Sequence, residues 1–207
     1  PASVLHGQGA IGATLNMITK KPEVGSSNSY EILSSYGRYD TVKAGVGAGG
    51  PMGKNLWFRI DGSEYSSDGY VDNADPKSKN FIGSVLWKPN DQLDVTFGVD
   101  FLDDKLQNYW GTPLVTEAFA TQPLTGVVST TDGRTIDKRT QFVNYNISDE
   151  VADSYQMLTT LDLSWKHSNK LSFRNYTYFL NADREWRNSE QYTFNSTTSL
   201  IDRDRFF

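Results

Sequence analysis

Apolar and polar residues alternate in seven successive runs of this chain, and the links between the runs alternate between tight and long. Tyr30–Tyr36 places Tyr30, Ile32 and Tyr36 on one face, and Thr41–Ala48 sets Val42, Ala44, Val46 and Ala48 against Thr41, Lys43, Gly45 and Gly47. Leu56, Phe58 and Ile60 then alternate with Trp57, Arg59 and Asp61. Runs over Phe81–Lys88, Leu93–Phe101, Tyr155–Lys166 and Leu171 to about Trp186 complete the series. A period of two is the signature of a strand with unlike faces, so the sequence predicts seven antiparallel strands and no helical layer.

The links narrow the choice further. Three are tight (49–55, 88–92 and 167–170) and three are long or open (66–79, 103–154 and everything after about 187). The first link, near Arg38 to Asp40, departs from the rule by being short. Small turns at one end and large loops at the other form the layout of a transmembrane β-barrel. A structureless loop of about 50 residues counts against a compact soluble sandwich. Lys43, Arg59, Asp61, Asp94, Asp100, Asp162 and Lys166 share the polar phase and suit a hydrated interior, while Leu56–Ile60 and Leu93–Phe101 carry the phase suited to lipid. Periodicity alone leaves a half-exposed soluble sheet open as well.

Composition agrees with strands that have one apolar and one wet face: 37% of residues are hydrophobic and 13% aromatic, yet the mean hydropathy is −0.53. No run of 18 apolar residues forms a spanning helix, which says nothing against spanning strands, and no signal peptide opens the chain. A net charge of −5 without a basic stripe gives no footprint for nucleic acid. The absence of Cys removes thiol nucleophiles and thiolate metal sites, and His6 and His167 stand too far apart for a metal-ligand spacing.

Gly7-Gln8-Gly9-Ala10-Ile11-Gly12 fits the G-x-G-x-x-G fingerprint of a dinucleotide loop. That fingerprint works only where a helix follows and its first amides hold a pyrophosphate. Here Leu15 and Met17 alternate with Thr14 and Asn16 up to Pro22, a strand pattern, so the glycines are expected to shape turns.

The opening "ASVLHGQGAIGATLNMITKKP" resembles the end of the plug domain of TonB-dependent outer-membrane receptors, with Ser3, Val4, Leu5, Gly7, Gly12, Asn16, Thr19, Lys20 and Pro22 at the matching places. His6 stands where an aromatic Tyr is usual and Ala13 where a second Gly is common. "GVGAGGPMGKNLWFRIDGSEYSSDGYVDN" is similar to the early barrel of that family, with Gly-Gly-Pro as a turn before a strand, and "FIGSVLWKPNDQLDVTFGVDF" looks like the next hairpin. The resemblance covers roughly residues 1–110 by motif and 155–186 by pattern. It implies an all-β fold: a transmembrane antiparallel barrel, 22-stranded in such receptors, with an internal plug, of which this chain holds about seven strands. Residues 1–25 would be the C-terminal end of the plug and 26–207 the N-terminal part of the barrel. The resemblance further implies a bacterial outer-membrane receptor, without catalytic chemistry, that takes up a ferric siderophore. Its partners would be outer-membrane lipid and the TonB-ExbB-ExbD complex, engaged by a TonB box that these residues do not include. No cofactor and no protein metal ligand are expected, because the siderophore carries the iron. Haem, cobalamin or a glycan as the ligand, a passive porin, and a soluble β-rich carbohydrate-binding or hydrolytic protein are the competing readings.

"LQNYWGTPLV", at the root of the 103–154 link, resembles the aromatic segment with which hydroxamate-type receptors face their ligand, which makes Tyr109 and Trp110 the candidate substrate-binding pair. An interfacial aromatic belt is the alternative for such residues, and it is the reading for Trp57, Trp87 and Trp165 near the tight turns. Asp103, Asp104, Glu185 and Glu190 read as solvated charge rather than an acid/base pair. His6-Gly7-Gln8-Gly9 suggests an esterase oxyanion loop, but no G-x-S-x-G elbow accompanies it. The N-x-S/T triplets at Asn146, Asn175 and Asn195 are coincidence in a bacterial outer membrane.

Overall fold

The computed structural model describes residues 19–128 and 130–204. The G-x-G-x-x-G stretch, His6, Leu15, Met17 and most of the proposed plug segment lie outside these residues. Chain order gives β1 (Ser29–Gly37), β2 (Thr41–Gly53), β3 (Leu56–Ser66), β4 (Lys77–Asn90), β5 (Leu93–Lys105), β6 (Val115–Thr116), β7 (Arg134–Thr135), β8 (Val151–Lys166), β9 (Ser172–Arg187), β10 (Gln191–Asn195) and β11 (Leu200–Asp204). Seven of them form one antiparallel sheet in the order β1-β2-β3-β4-β5-β8-β9, a meander in which each wall strand pairs with the next. β6–β7 and β10–β11 are separate short hairpins among the long connections.

All seven expected strands are present, and most are longer than their alternating runs. Two of the three tight turns shrink accordingly, and the third spans 167–171. Lys54–Asn55 and Asp91–Gln92 connect β2 to β3 and β4 to β5, and Asn90 Oδ1 accepts the Gln92 and Leu93 amides at 2.9 and 3.0 Å to close the second of these. Gly49-Gly50-Pro51, read as a turn, lies inside β2, with a register shift between Pro51 and Gly53. Proline cannot donate to the ladder, and a bulge lets the strand continue past it. A similar shift accommodates Pro89 between Trp87 and Asn90.

Register carries a single apolar face across the wall. Ile32 lies beside Val46, Ala48 beside Ile60, Phe58 beside Val85, Val85 beside Phe97, and Phe97 beside Leu161. From Leu93 to Phe101 this band rises about 27 Å along the strand, or about 21 Å with the strand tilted by about 40°. Trp87, Trp165 and Phe173 edge the band at the turn end, and Phe101 meets Tyr155 edge-on at 5.2 Å near the loop end. One row beyond, Glu64, Lys79 and Asp103 stand side by side on the same phase, so the band ends in charge. The face is bare: Ile32 is 85% exposed and Val46 64%. Among the described residues the buried hydrophobic side chains are Trp57, Val71, Ala74, Val115 and Ala152, scattered between wall and loops rather than gathered into one core.

The opposite phase holds the charges and is the better covered. Arg59, 7% exposed, lies across Gly47 and Gly49 of β2. Its Nε donates to Asp61 Oδ2 at 2.6 Å, its Nη2 donates to Asp61 Oδ1, and Nη2 stands 3.2 Å from Glu31 Oε1 of β1. Lys20 Nζ donates to Glu31 and lies 4.0 Å from Asp61, which places the segment leading into β1 on this polar face. Thr19, Lys20 and Lys21 continue along it beside Ser84, Thr96 and Asp162. Trp57 belongs to this phase and is buried, so it is part of the wall's polar side and not of the aromatic belt. β9 breaks the alternation: Phe173 and Phe179 share one face with Asn175 and Asn181, while Tyr176, Tyr178 and Leu180 lie on the other with Arg174.

A Cβ at Gly47 would fall 2.5 Å from Asp61 Oδ1 and 2.6 Å from Arg59 Nη2, whereas one at Gly62, on the apolar phase, meets nothing within 4 Å. Gly47→Ala is therefore expected to displace the Arg59–Asp61 pair and cost about 1–3 kcal/mol, as overpacking does, and Gly62→Ala to leave stability near wild type. The temperature at which the full-length protein loses its heat-modifiable gel migration measures both; equal effects would contradict the Arg59 packing.

Candidate functional site

The antiparallel order brings every long connection to one end of the wall. The 67–76 loop is closed by the Ser67 amide on the Pro76 carbonyl at 3.2 Å. It is tied to the β1–β2 turn by the Asp68 amide on the Tyr39 carbonyl at 2.8 Å and by Ser67 Oγ with Thr41 Oγ1 at 2.8 Å. Gly69 adopts φ +69° there, and a Cβ would lie 2.4 Å from Ala74, so the turn requires glycine.

Two buried polar residues shape the long 106–150 connection. Asp137, 1% exposed, accepts the Thr121 amide at 2.8 Å, the Arg139 amide at 2.9 Å, and the Arg139 guanidinium at 3.0 and 3.1 Å. The Arg139 side chain first, then the backbone amides of Arg139, Thr121 and Gln122, hold the Asp137 carboxyl far below the usual carboxylate range against the opposing effect of burial. Asn146, 7% exposed, donates to the Asn108 carbonyl at 2.9 Å and to Glu150 Oε2 at 2.7 Å, and its Oδ1 accepts the Ser189 amide at 2.7 Å. Arg203 of β11 donates to the Asn146 carbonyl at 2.9 Å. One residue thus fastens the long loop to both the β5 end and the β10–β11 hairpin.

The two residues singled out by sequence face different surroundings. Tyr109 packs edge-on against Tyr70 at 5.4 Å, and its hydroxyl meets Thr112 Oγ1 at 2.8 Å; Tyr70 in turn contacts Tyr39 at 6.4 Å. Burial and the Tyr109 hydroxyl push the Tyr70 phenol up to about 12. Tyr109 therefore ties two loops together. Trp110 is 53% exposed and lines a cavity of about 400 Å³ with Thr112, Leu114, Arg134, Glu190, Tyr192 and Phe194. Burial pushes the Tyr192 phenol up to about 12, and its hydroxyl has no hydrogen-bond partner among the described residues. An aromatic slot with one charge of each sign suits a flat, partly polar ligand.

Asp103 and Asp104 end β5 and Glu185 lies near the end of β9, with β8 between them, so the two strands are about 10 Å apart. Glu190 instead lines the Trp110 cavity. Asn175 sits within β9, and Asn195 caps the β10–β11 turn by accepting the Thr197 amide at 3.0 Å. Among the described residues no group of three or more His, Cys, Asp or Glu is placed to hold a metal ion, and no helix is long and apolar enough to cross a membrane. Sequence reading missed Asp137, Asn146 and Tyr192. The available signal for Asp137 was the Asp-x-Arg pair inside a long loop, whereas Asn146 stood out only as the start of an N-x-S triplet, which says nothing of its role as a loop fastener.

No protein-family model matches the chain. It is similar in fold to the siderophore receptor PiuA from Acinetobacter baumannii, with a TM-score of 0.69 and 14% identity over 90% of this chain and 25% of that one. It is 29% identical over 90 residues to the metal-pseudopaline receptor CntO of Pseudomonas aeruginosa, a stretch of 42% of this chain and 12% of the relative. The chain thus spans about a quarter or less of the proteins it matches. The family resemblance read from the sequence is borne out, and the chain has the all-β fold of part of a siderophore receptor's barrel.

Asp137 gives a pH dependence. Its folded carboxyl is depressed, so its stabilising contribution is complete above the unfolded value of about 4 and declines as pH falls below it. Hydrogen–deuterium exchange over residues 121–122 and 138–140, corrected for intrinsic rate, is expected to be flat from pH 8 to 5 and to rise below about pH 4. Asp137→Asn should raise it severalfold at pH 7; an unchanged rate would contradict the clamp.

Proposed function

We propose that this chain is part of a TonB-dependent outer-membrane receptor that takes up a ferric siderophore, its barrel wall in lipid and its long connections facing the ligand. The observation that carries this reading is the inverted sheet. A seven-stranded meander bares an apolar band that ends in charge only at the loop end, keeps the charges level with that band on the other face, and gathers its long loops at one end. Only a barrel satisfies strand backbones in a bilayer while turning apolar side chains outward. The fold likeness to a siderophore receptor and the sequence likeness to a metal-chelate receptor support the same reading.

In this reading residues 1–25 close the plug and 26–207 begin the barrel, and Lys20 on Glu31 and Asp61 is a point where the first segment meets the wall. The loop end catches the chelate, with Trp110 as the exposed contact, while Tyr109 holds the 67–76 loop against the long connection. The siderophore carries the iron, so the chain needs neither a metal ligand nor a catalytic group. TonB, with ExbB and ExbD, supplies the energy through the plug. Haem, cobalamin and glycans remain the competing cargoes.

Tryptophan-fluorescence titration of the full-length, detergent-solubilised receptor tests this with a panel of ferric siderophores, haem and cobalamin. Saturable quenching by a ferric siderophore is expected, weakened about tenfold by Trp110→Ala, the loss of about 1.4 kcal/mol of aromatic contact. Binding of haem or cobalamin alone, or no binding at all, would overturn both the siderophore assignment and the role of Trp110.

A further inference from the structure

β9 departs from the rest of the wall on the phase that faces outward. Between Phe173 at the turn end and the first charge, Asp183, its outward positions are Asn175, Thr177, Phe179 and Asn181, beside Leu163, Leu161, Thr159 and Met157 of β8. No other wall strand carries an amide on that phase within the apolar band. Thr177 Oγ1 donates to Asn175 Oδ1 at 2.8 Å, so these two satisfy each other in part. Asn181 makes no side-chain hydrogen bond among the described residues, and its partner across the ladder is the thioether Met157. An amide turned toward hydrocarbon without a partner is costly, and within a bilayer such a group is met by a polar group across a protein contact. A further strand paired to the open edge of β9 would stand beside Asn181 in the sheet and leave its outward side uncovered.

The cover therefore comes from outside the barrel, and the chemistry of the face selects it. A carboxamide holds two N–H donors and a carbonyl acceptor, so it is complementary to another carboxamide. Two copies inserted in one membrane share one orientation, and a two-fold axis along the membrane normal brings a residue against itself at the same depth. Barrel strands tilted by about 40° lean in opposite senses across such a contact, so the two strands cross and one residue lies at the crossing. Asp183, Glu185 and Arg187 continue the same phase above the band and offer both signs of charge to a second copy. We propose that the outward face of β9 is a contact between two copies of the receptor, in which β9 crosses its counterpart at Asn181 and the two amides exchange N–H···O bonds. Phe179, 64% exposed, packs beside the crossing. This rests on the barrel reading above and adds that lipid does not cover the wall all round.

The test uses the full-length receptor in lipid bilayers, with any cysteine elsewhere replaced by serine and a single cysteine introduced by Asp183→Cys or, in the same cross-strand row, by Lys79→Cys or Asp103→Cys. A short bismaleimide is expected to join Asp183→Cys into a covalent dimer and to leave the other two at the level of random collision. Adding Asn181→Leu should lower the Asp183→Cys yield at least about fivefold, while Val85→Leu leaves it unchanged. All variants are first checked for wild-type heat-modifiable migration. Equal yields at the three positions, or a yield that Asn181→Leu does not change, overturns the contact. Absence of a dimer while a spin label at Val85 is open to oxygen overturns the contact and leaves the barrel standing; a label at Val85 closed to oxygen overturns both. Cross-linking in whole outer membranes to a different protein and not to a second copy overturns the choice of partner.

Discussion

The wall depends on an unbroken antiparallel ladder. From β2 to β8 every wall strand is paired on both sides, so the backbone groups find partners within the sheet. That satisfaction allows the outward side chains to be wholly apolar in a solvent that offers no hydrogen bonds. A soluble sheet would fold the same band against a second layer, but here Ile32, Val46 and Phe97 remain largely bare while Trp57 and Arg59 on the other face are buried. The usual relation between burial and polarity is reversed, and lipid is the medium in which that reversal costs nothing.

The polar face has an order of its own. Gly47 and Gly49 hollow β2 so that Arg59 can lie over it and join β3 to Glu31 of β1. Arg59 supplies one positive charge to two carboxylates, and Lys20 from the preceding segment supplies the next. The entry of the chain into the wall and the first three strands are thus one electrostatic unit. At the loop end the same economy recurs in Asp137 and Asn146, each a short side chain that closes several backbone groups of a long connection. Such residues let a 106–150 loop line the Trp110 cavity without a hydrophobic core of its own.

Much of the wall was legible in the sequence because a period of two is written residue by residue. Leu93 to Phe101 states its two faces without help from the rest of the chain, and its register against β4 and β8 follows from matching apolar phases. Strand ends were less legible. Gly49-Gly50-Pro51 carries every local mark of a turn, yet a bulge keeps it in β2, because the ladder with β3 outweighs local turn preference. Trp57 shows the limit of reading a residue by its nearness to a turn, since phase and not proximity decides which side it faces. The loop end was least legible. Tyr109 and Trp110 are neighbours in sequence but serve separate clusters, and their partners Tyr70, Tyr192 and Phe194 lie far along the chain. No spacing rule connects such residues.

The central claim is that the two phases of the wall face different media. These 207 residues have no cysteine, so once any cysteine elsewhere in the full-length protein is replaced by serine, single cysteines introduced at Val46, Val85, Val99 and Leu161 on one phase and at Ser84, Thr96 and Thr160 on the other can carry spin labels without background. In the full-length protein reconstituted into a bilayer, oxygen should relax the first set strongly and a water-soluble nickel chelate weakly, with little oxygen effect at the second set. Equal oxygen accessibility on both phases, or nickel accessibility highest at Val46 and Val85, would show that the apolar face does not meet lipid and would end the barrel account.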